Sequence, residues 1–370
     1  MEKVQVKPKR EMLNYINVFR GLAILLIVAG HTMQFGSAGT WVNNAAFEIL
    51  TGGTVLFIFI SGFLFQYLSD KFEYKTYLKK KWTNVILPYL ITAIPGIILC
   101  FTMPVTYGNP FDGLNPLAQI GVFLTTGRVH NVPTWYIPMI VIFFLLADIF
   151  IILERKKILY KLLPILFLVT VFVPRMSIEP EYLTGMTYGA KYWAYISYIL
   201  NGFVHFASMY IFGMYLSANR DKINLCYTHR WWLILLMLFT SIIDVVLLHY
   251  FHISNGTISK IFLTLVVLGY LSHYDETIKN CNWFNNAADF IAKYSFAIFF
   301  VHWYLNYAFN RIFNVAKVIP VSDGCDFVLA IGIVVARYFA VLGVSLGILY
   351  LLKLTLTKLG VKNTRAVIGV

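Results

Sequence analysis

Apolar runs of membrane-spanning length recur along almost all of this 370-residue chain, and they decide what it can fold into. A helix crossing a bilayer needs roughly 20 mostly apolar residues, because the hydrocarbon core is about 30 Å thick. About ten such spans are expected, at residues 16–35, 49–69, 84–103, 133–153, 158–174, 193–217, 231–251, 257–272, 290–310 and 327–352. Inside lipid the backbone must satisfy its own hydrogen bonds, so continuous runs of this kind are helical. The expected fold is therefore all-α, a polytopic membrane helical bundle. Hydrophobic residues make up 59% of the chain, charged residues only 13%, and the mean hydropathy is +0.71. A soluble chain of this length cannot hide that much apolar surface.

The net charge of +13 raises the question of a nucleic-acid partner, but its distribution answers it. Basic residues gather in short segments between alternate spans, as the positive-inside rule requires. Of the 30 lysines and arginines, 22 fall on one side. These are Lys3, Lys7, Lys9, Arg10, the run from Lys71 to Lys81, Arg155, Lys156, Lys157, Lys161, Arg220, Lys222, Arg230, Lys279, Lys293, Lys353, Lys358, Lys362 and Arg365. Only Arg128, Arg175, Lys191, Lys260, Arg311 and Lys317 fall on the other, with Arg20 and Arg337 inside spans. Both termini are thus expected in the cytoplasm, and membrane lipids rather than nucleic acid are the expected surroundings. One domain is expected over residues 1–370: a cytoplasmic tail over about 1–15, a bundle over 16–352 and a second cytoplasmic tail over 353–370. No cleavable signal and no appended soluble domain is expected. The outer loop 104–132, rich in Pro, Gly and Asn, leaves room for a short re-entrant piece. Cys100, Cys226, Cys281 and Cys325 show no paired or metal-like spacing, so no metal is expected.

The first span carries the chemistry that stands out. Arg20 and His31 lie eleven positions apart, about 16 Å of helix rise and only some 20° around the axis. A charged side chain at mid-bilayer costs about 2.5–3.5 kcal/mol on insertion scales, so it faces a polar interior. One helix face therefore holds a fixed cation at one depth and a titratable imidazole at another. Neutral His31 suits proton abstraction from a hydroxyl, whereas Arg20 suits a phosphate or a polarised carbonyl.

Secondary candidates follow along the chain. Ser61 and Gly62 in the second span fit close helix packing. Lys79, Lys80 and Lys81 fit either topology anchoring or a polyanionic cytoplasmic ligand, such as a nucleotide with several phosphates. Pro88 is expected to open the backbone ladder of the third span. Trp135 and Tyr136 fit an interfacial belt or a substrate platform. Ser295 and His302 share the ninth span, with His302 at a depth similar to His31. Asp148, Asp244, His205 and Arg337 are the remaining polar groups inside spans, and the two aspartates are candidates to pair with Arg20 or Arg337. No glycine-rich phosphate loop or serine-elbow motif occurs.

In these residues the chain resembles acyltransferase family 3, the integral membrane acyltransferases that modify bacterial surface polysaccharides and antibiotics. The resemblance covers nearly the whole chain. Its most specific element is an arginine, ten residues and a histidine in the first span, here Arg20 and His31. Phe57 to Leu64 resembles the family's Phe-Phe-x-x-Ser-Gly-Phe-Leu element. Lys79 to Tyr89 resembles its basic cluster leading into a Pro-Tyr helix, and Tyr294-Ser295 to His302 resembles its late Ser-Tyr-x-x-Tyr-Leu-x-His element. The resemblance implies an O-acetyltransferase of the bacterial cytoplasmic membrane, with cytoplasmic acetyl-CoA as acyl donor and a carbohydrate hydroxyl as acceptor. It implies that Arg20 and His31 are needed for transfer. On this reading Lys79, Lys80, Lys81 and Arg20 meet the CoA phosphates, while Trp135, Tyr136, Ser295 and His302 serve the substrate. Two positions depart from the family pattern. Ile140 stands where many relatives carry glutamate, which brings the chain closer to branches resembling the intercellular-adhesin modifying proteins. Asn84 stands where relatives often carry arginine. A transporter or exporter of a glycan or lipid-linked intermediate is the rival reading of the same polar interior. The sequence is silent on oligomeric state and on the acceptor's identity.

Overall fold

The computed structural model describes residues 13–33, 40–103, 109–128, 134–178, 180–313 and 327–370, and among these the chain is helical throughout, with no strand. Lys3, Lys7, Lys9, Arg10, Lys317, Cys325 and residues 104–108 and 129–132 of the expected outer loop lie outside the described residues, while the rest of that loop holds a short apolar helix over Pro116–Thr126. The helices are α1 (Asn14–Thr32), α2 (Trp41–Leu50), α3 (Gly53–Tyr67), α4 (Tyr74–Lys81), α5 (Leu87–Thr102), α6 (Pro116–Thr126), α7 (Tyr136–Leu145) and α8 (Ala147–Arg155). They continue with α9 (Leu163–Phe172), α10 (Tyr188–Ala218), α11 (Ile223–Thr228), α12 (Arg230–Phe251), α13 (Thr257–His273), α14 (Asp275–Asn280), α15 (Asn282–Phe313), α16 (Phe327–Lys358) and α17 (Arg365–Ile368).

Among the described residues, six helical stretches are long and apolar enough to cross a bilayer, and α7 with α8 makes a seventh if their 46° bend belongs to one span. The helices over residues 159–172 and 257–273 are apolar but shorter. Within the described residues the expected spans are largely helical, although fewer stretches than ten meet this length and composition test.

Three local features shape the interior. Gly52, at φ +90°, breaks the second stretch into α2 and α3, and a side chain there would meet Lys260. The ring of Pro88 cannot tolerate the carbonyl four residues earlier in a regular helix. The chain answers with a π turn over Trp82–Ile86, which links α4 to α5 and turns Asn84 and Val85 inward. Finally, Gly62 of α3 lies directly on the backbone of Tyr210 in α10, and Gly213 lies on that of Phe59. Without side chains at these two points, the backbones approach as small-residue membrane helix pairs do.

α1 is the centre of the bundle, with thirteen of its nineteen residues buried. It runs antiparallel to α3, with Tyr15 against Phe63 and Phe19 against Phe59. Against α15 it runs parallel. Asn17 donates to Asp289 at 2.7 Å, Arg20 to the Ala292 carbonyl at 2.8 Å, and the His31 carbonyl accepts from Asn306 at 2.9 Å, so position advances together on both helices. At the opposite extreme, α12 faces outward along nearly its whole length and buries only Asp244. Its exposed Trp231 and Trp232 fit an interfacial belt.

Candidate active site

A cavity of about 170 Å³ opens between α1, α3, the π turn, α7, α15 and α17. Its polar lining is Arg20, Thr54, Ser61, Lys81, Asn84, Tyr136, Ser295 and Arg365, set among apolar residues that include Ile27, Phe144, Phe296 and Phe299. Three cations and no carboxylate line this space. Among the described residues none of the three forms an ion pair with an acid. Arg20 is held by α15: one Nη donates to the Ala292 carbonyl at 2.8 Å and reaches Ser295 Oγ at 3.3 Å, while Ser295 itself donates to Ala292 at 2.8 Å. Lys81 lies with its ammonium 4.4 Å from the centre of the Phe144 ring and 5.2 Å from that of Tyr77. An unneutralised cationic wall with an apolar interior suits a ligand having phosphates at one end and an uncharged arm beyond them.

The cavity climbs α1 from Arg20 to Ile27, one helical turn short of His31. There a second polar centre begins. The His31 ring is half-buried, 5.4 Å from the His302 ring and 5.1 Å from the Trp303 ring, centre to centre. His302 is fully buried. Its Nδ1 lies 2.8 Å from the Ile298 carbonyl, and because a carbonyl only accepts, Nδ1 carries the proton of the neutral ring. The lone pair is therefore on Nε2, which is buried without a hydrogen-bond partner among the described residues, as is Trp303 Nε1. Buried polar atoms are rarely left unpartnered, and two of them beside one half-buried imidazole mark a place for a polar ligand. Phe299 joins the two centres: it lines the cavity and packs against both Tyr136 and His302.

The end of α1 is fixed by a short relay from α15 and α16. Arg337 of α16 donates to Asn306 Oδ1 through Nε at 3.2 Å and Nη2 at 2.5 Å, and the Asn306 amide nitrogen caps the His31 carbonyl. The guanidinium orients the amide, and the amide satisfies one of the carbonyls that a helix end leaves open.

The expected site residues divide. Arg20, Lys81, Tyr136 and Ser295 share the cavity, and His31 with His302 form the second centre. Lys79 is exposed and lines not this cavity but an adjoining groove with Trp82 and Leu145, which shares Lys81 and Phe144 with it, while Lys80 is exposed and lines neither. Trp135 does not line the cavity with Tyr136, although their rings meet edge to face; it is stacked on Phe206 beneath Arg175, whose guanidinium lies 3.9 Å from its ring. Asn84 and Ile140, the two departures from the family pattern, both line the cavity. The aspartates do not pair with Arg20 or Arg337. Asp148 is exposed, and Asp244 accepts instead from Ser254 at 2.9 Å and from the Asn255 amide at 2.5 Å. His205 is a structural bridge, with Nδ1 on the Val173 carbonyl and Nε2 on Thr257, both at 2.8 Å.

Three features escape a reading by spans. Arg365 stands in the sequence as one more basic tail residue, yet α17 folds back and brings it to the cavity. Asn306 and Trp303 carry no signal beyond their nearness to His302. Lys260, expected in an outer loop, is buried and paired with Glu48 at 3.2 Å, where Ser259 and Ser241 also bond the carboxylate.

A family model described as an acyltransferase domain matches residues 13–353. No curated protein and no solved structure matches the chain.

Proposed function

The chain belongs to acyltransferase family 3, a family of membrane acyltransferases, and on that premise we propose that it moves an acetyl group from cytoplasmic acetyl-CoA to a hydroxyl of a cell-envelope polysaccharide or lipid-linked glycan. The observation that carries the donor side is the cavity with Arg20, Lys81 and Arg365 on its walls, no acid, and an apolar path rising to one turn below His31. CoA has this form: phosphates at one end, a long uncharged arm, and a thioester at its tip. The basic asymmetry of the sequence supports a cytoplasmic position for the cationic end of the cavity, in a chain of ten spans with both termini inside. The parallel course of α1 and α15 supports that arrangement, since the first and ninth spans of such a chain run the same way.

In the proposed reaction the donor's thioester carbonyl stands beside His31, and the acceptor hydroxyl comes from the outer side. His31 takes the hydroxyl proton as the oxygen attacks the carbonyl carbon. The C–S bond then breaks, and the proton passes from the imidazolium to the departing thiolate, leaving an acetyl ester and free CoA. His302 Nε2 accepts from the acceptor or from His31, and the Trp303 N–H supplies a donor to the carbonyl oxygen as it gains charge. In a relay version, His31 Nε2 or Nδ1 itself takes the acetyl group and passes it on. Rapid quench with labelled acetyl-CoA and no acceptor separates the two: direct transfer leaves the protein unlabelled, and a relay labels it in a His31-dependent manner. The multi-pass chain resides, on this reading, in the bacterial cytoplasmic membrane.

A further inference from the structure

We propose that Arg365 grips the phosphate on the ribose of CoA's adenosine end, and that the folded-back C-terminal segment exists in part to hold it there. The proposal rests on the reading of the cavity as the acetyl-CoA site. Residues 353–370 do not trail away from the bundle. After α16 ends at Lys358 the chain turns, Thr364 Oγ1 donates to the Val370 carbonyl at 2.6 Å, and α17 lies along the π turn and α5. Gly369, at φ +82°, sits with its Cα so close to α15 that a side chain would meet Phe296 at 3.1 Å, and Ile368 and Val370 are buried. Arg365 therefore extends from an anchored backbone.

Its position along the cavity gives it a distinct share of the ligand. The thioester must approach His31, beyond Ile27, so the far end of the donor lies at the opposite, open end. Arg20 and Lys81 are half-buried within, whereas Arg365 lines the wall but is exposed, which puts it at the mouth. CoA carries a diphosphate between its arm and its nucleoside, and a separate phosphate on the ribose at the far end. Two inner cations answer the diphosphate, and the planar fork of Arg365 answers the terminal group bidentately. Among the described residues Arg365 spends no side-chain hydrogen bond or ion pair within the protein. Carriers that lack the ribose phosphate are then weak donors.

Binding of CoA and of 3′-dephospho-CoA to the full-length protein in nanodiscs, measured by calorimetry, tests this without any need for the acceptor. The wild-type protein is expected to bind CoA about tenfold tighter than dephospho-CoA, the size expected of one exposed charge-assisted contact. R365Q should bind both at the dephospho-CoA level, and R365K should recover part of the difference. The melting temperature of R365Q should match wild type, and Gly369→Val, which displaces the anchor, should lose the discrimination as R365Q does. Discrimination retained in R365Q overturns the assignment while leaving the cavity a CoA site. Failure of the wild-type protein to bind either nucleotide overturns the donor reading and this inference together.

Discussion

The rings of His31 and His302 lie 5.4 Å apart on two helices that run parallel, and the lone-pair nitrogen of His302 has no hydrogen-bond partner among the described residues. Two neutral imidazoles at this distance make a proton-handling pair only if something else enters to complete their hydrogen bonds. The half-buried His31 faces that missing partner first, and His302 stands behind it, locked by the Ile298 carbonyl.

His31→Ala is expected to lower acetyl transfer by about 10²–10⁴, the usual worth of a positioned general base. His302→Ala should cost less, about tenfold, and the double variant should be no worse than His31→Ala alone, because the two act as one unit. CoA release from proteoliposomes measures all three. Additive losses would separate the histidines into independent roles.

Arg20 and Arg337 are both arginines on inward-facing helix surfaces, yet they should fail differently. Arg20→Gln removes a cation from the donor cavity and is expected to raise KM for acetyl-CoA about tenfold or more, the range of one hydrogen bond to a charged group. Arg337→Gln and Asn306→Ala loosen the His31 carbonyl and should lower kcat with the donor KM unchanged. Steady-state kinetics with varied acetyl-CoA distinguishes the patterns, and a raised donor KM in Asn306→Ala would contradict the positioning role.

The buried Glu48–Lys260 pair is a stability element rather than part of the site. Lys260→Met should destabilise by about 3–5 kcal/mol, since it leaves an uncompensated buried carboxylate. Adding Glu48→Gln should recover most of that loss. Melting in detergent reads both, and a double variant as unstable as the single would show that the partners Ser241 and Ser259, not the charge pair, set the energy.

Gly213→Val places a side chain where Phe59 leaves no room. The expected loss exceeds the roughly 1–3 kcal/mol of ordinary overpacking, because the obstacle is backbone rather than a movable side chain. Size-exclusion chromatography should find little monodisperse protein. A Gly343→Val control, where a side chain would meet nothing nearby, should behave as wild type.

Much of the fold was legible because lipid simplifies the problem: long apolar runs must be helical, although the run at 133–153 bends by 46° and six or seven stretches, not ten, are long and apolar enough to cross. The Arg20–His31 face was legible for the same reason, as polar groups in an apolar helix have few places to go. What periodicity does not carry is which helices meet. The pairing of Asp148 and Asp244 with the arginines was misjudged because a short side chain near a helix end can be satisfied by local donors, as Ser254 and Asn255 satisfy Asp244. Lys79, Lys80 and Lys81 look alike in sequence, yet successive residues on a helix point about 100° apart, so only one of them reaches the cavity. In the sequence Arg365 looks like tail because nothing local announces that Gly369 will lie on α15.

The central claim is that this bundle transfers an acetyl group with His31 at the point of transfer. Purified protein in nanodiscs, given labelled acetyl-CoA and envelope glycan acceptor, should yield labelled glycan ester and a matching release of CoA, both lost in His31→Ala. No labelled glycan, with CoA release no greater than in His31→Ala, would contradict it and leave the polar interior to a transporter.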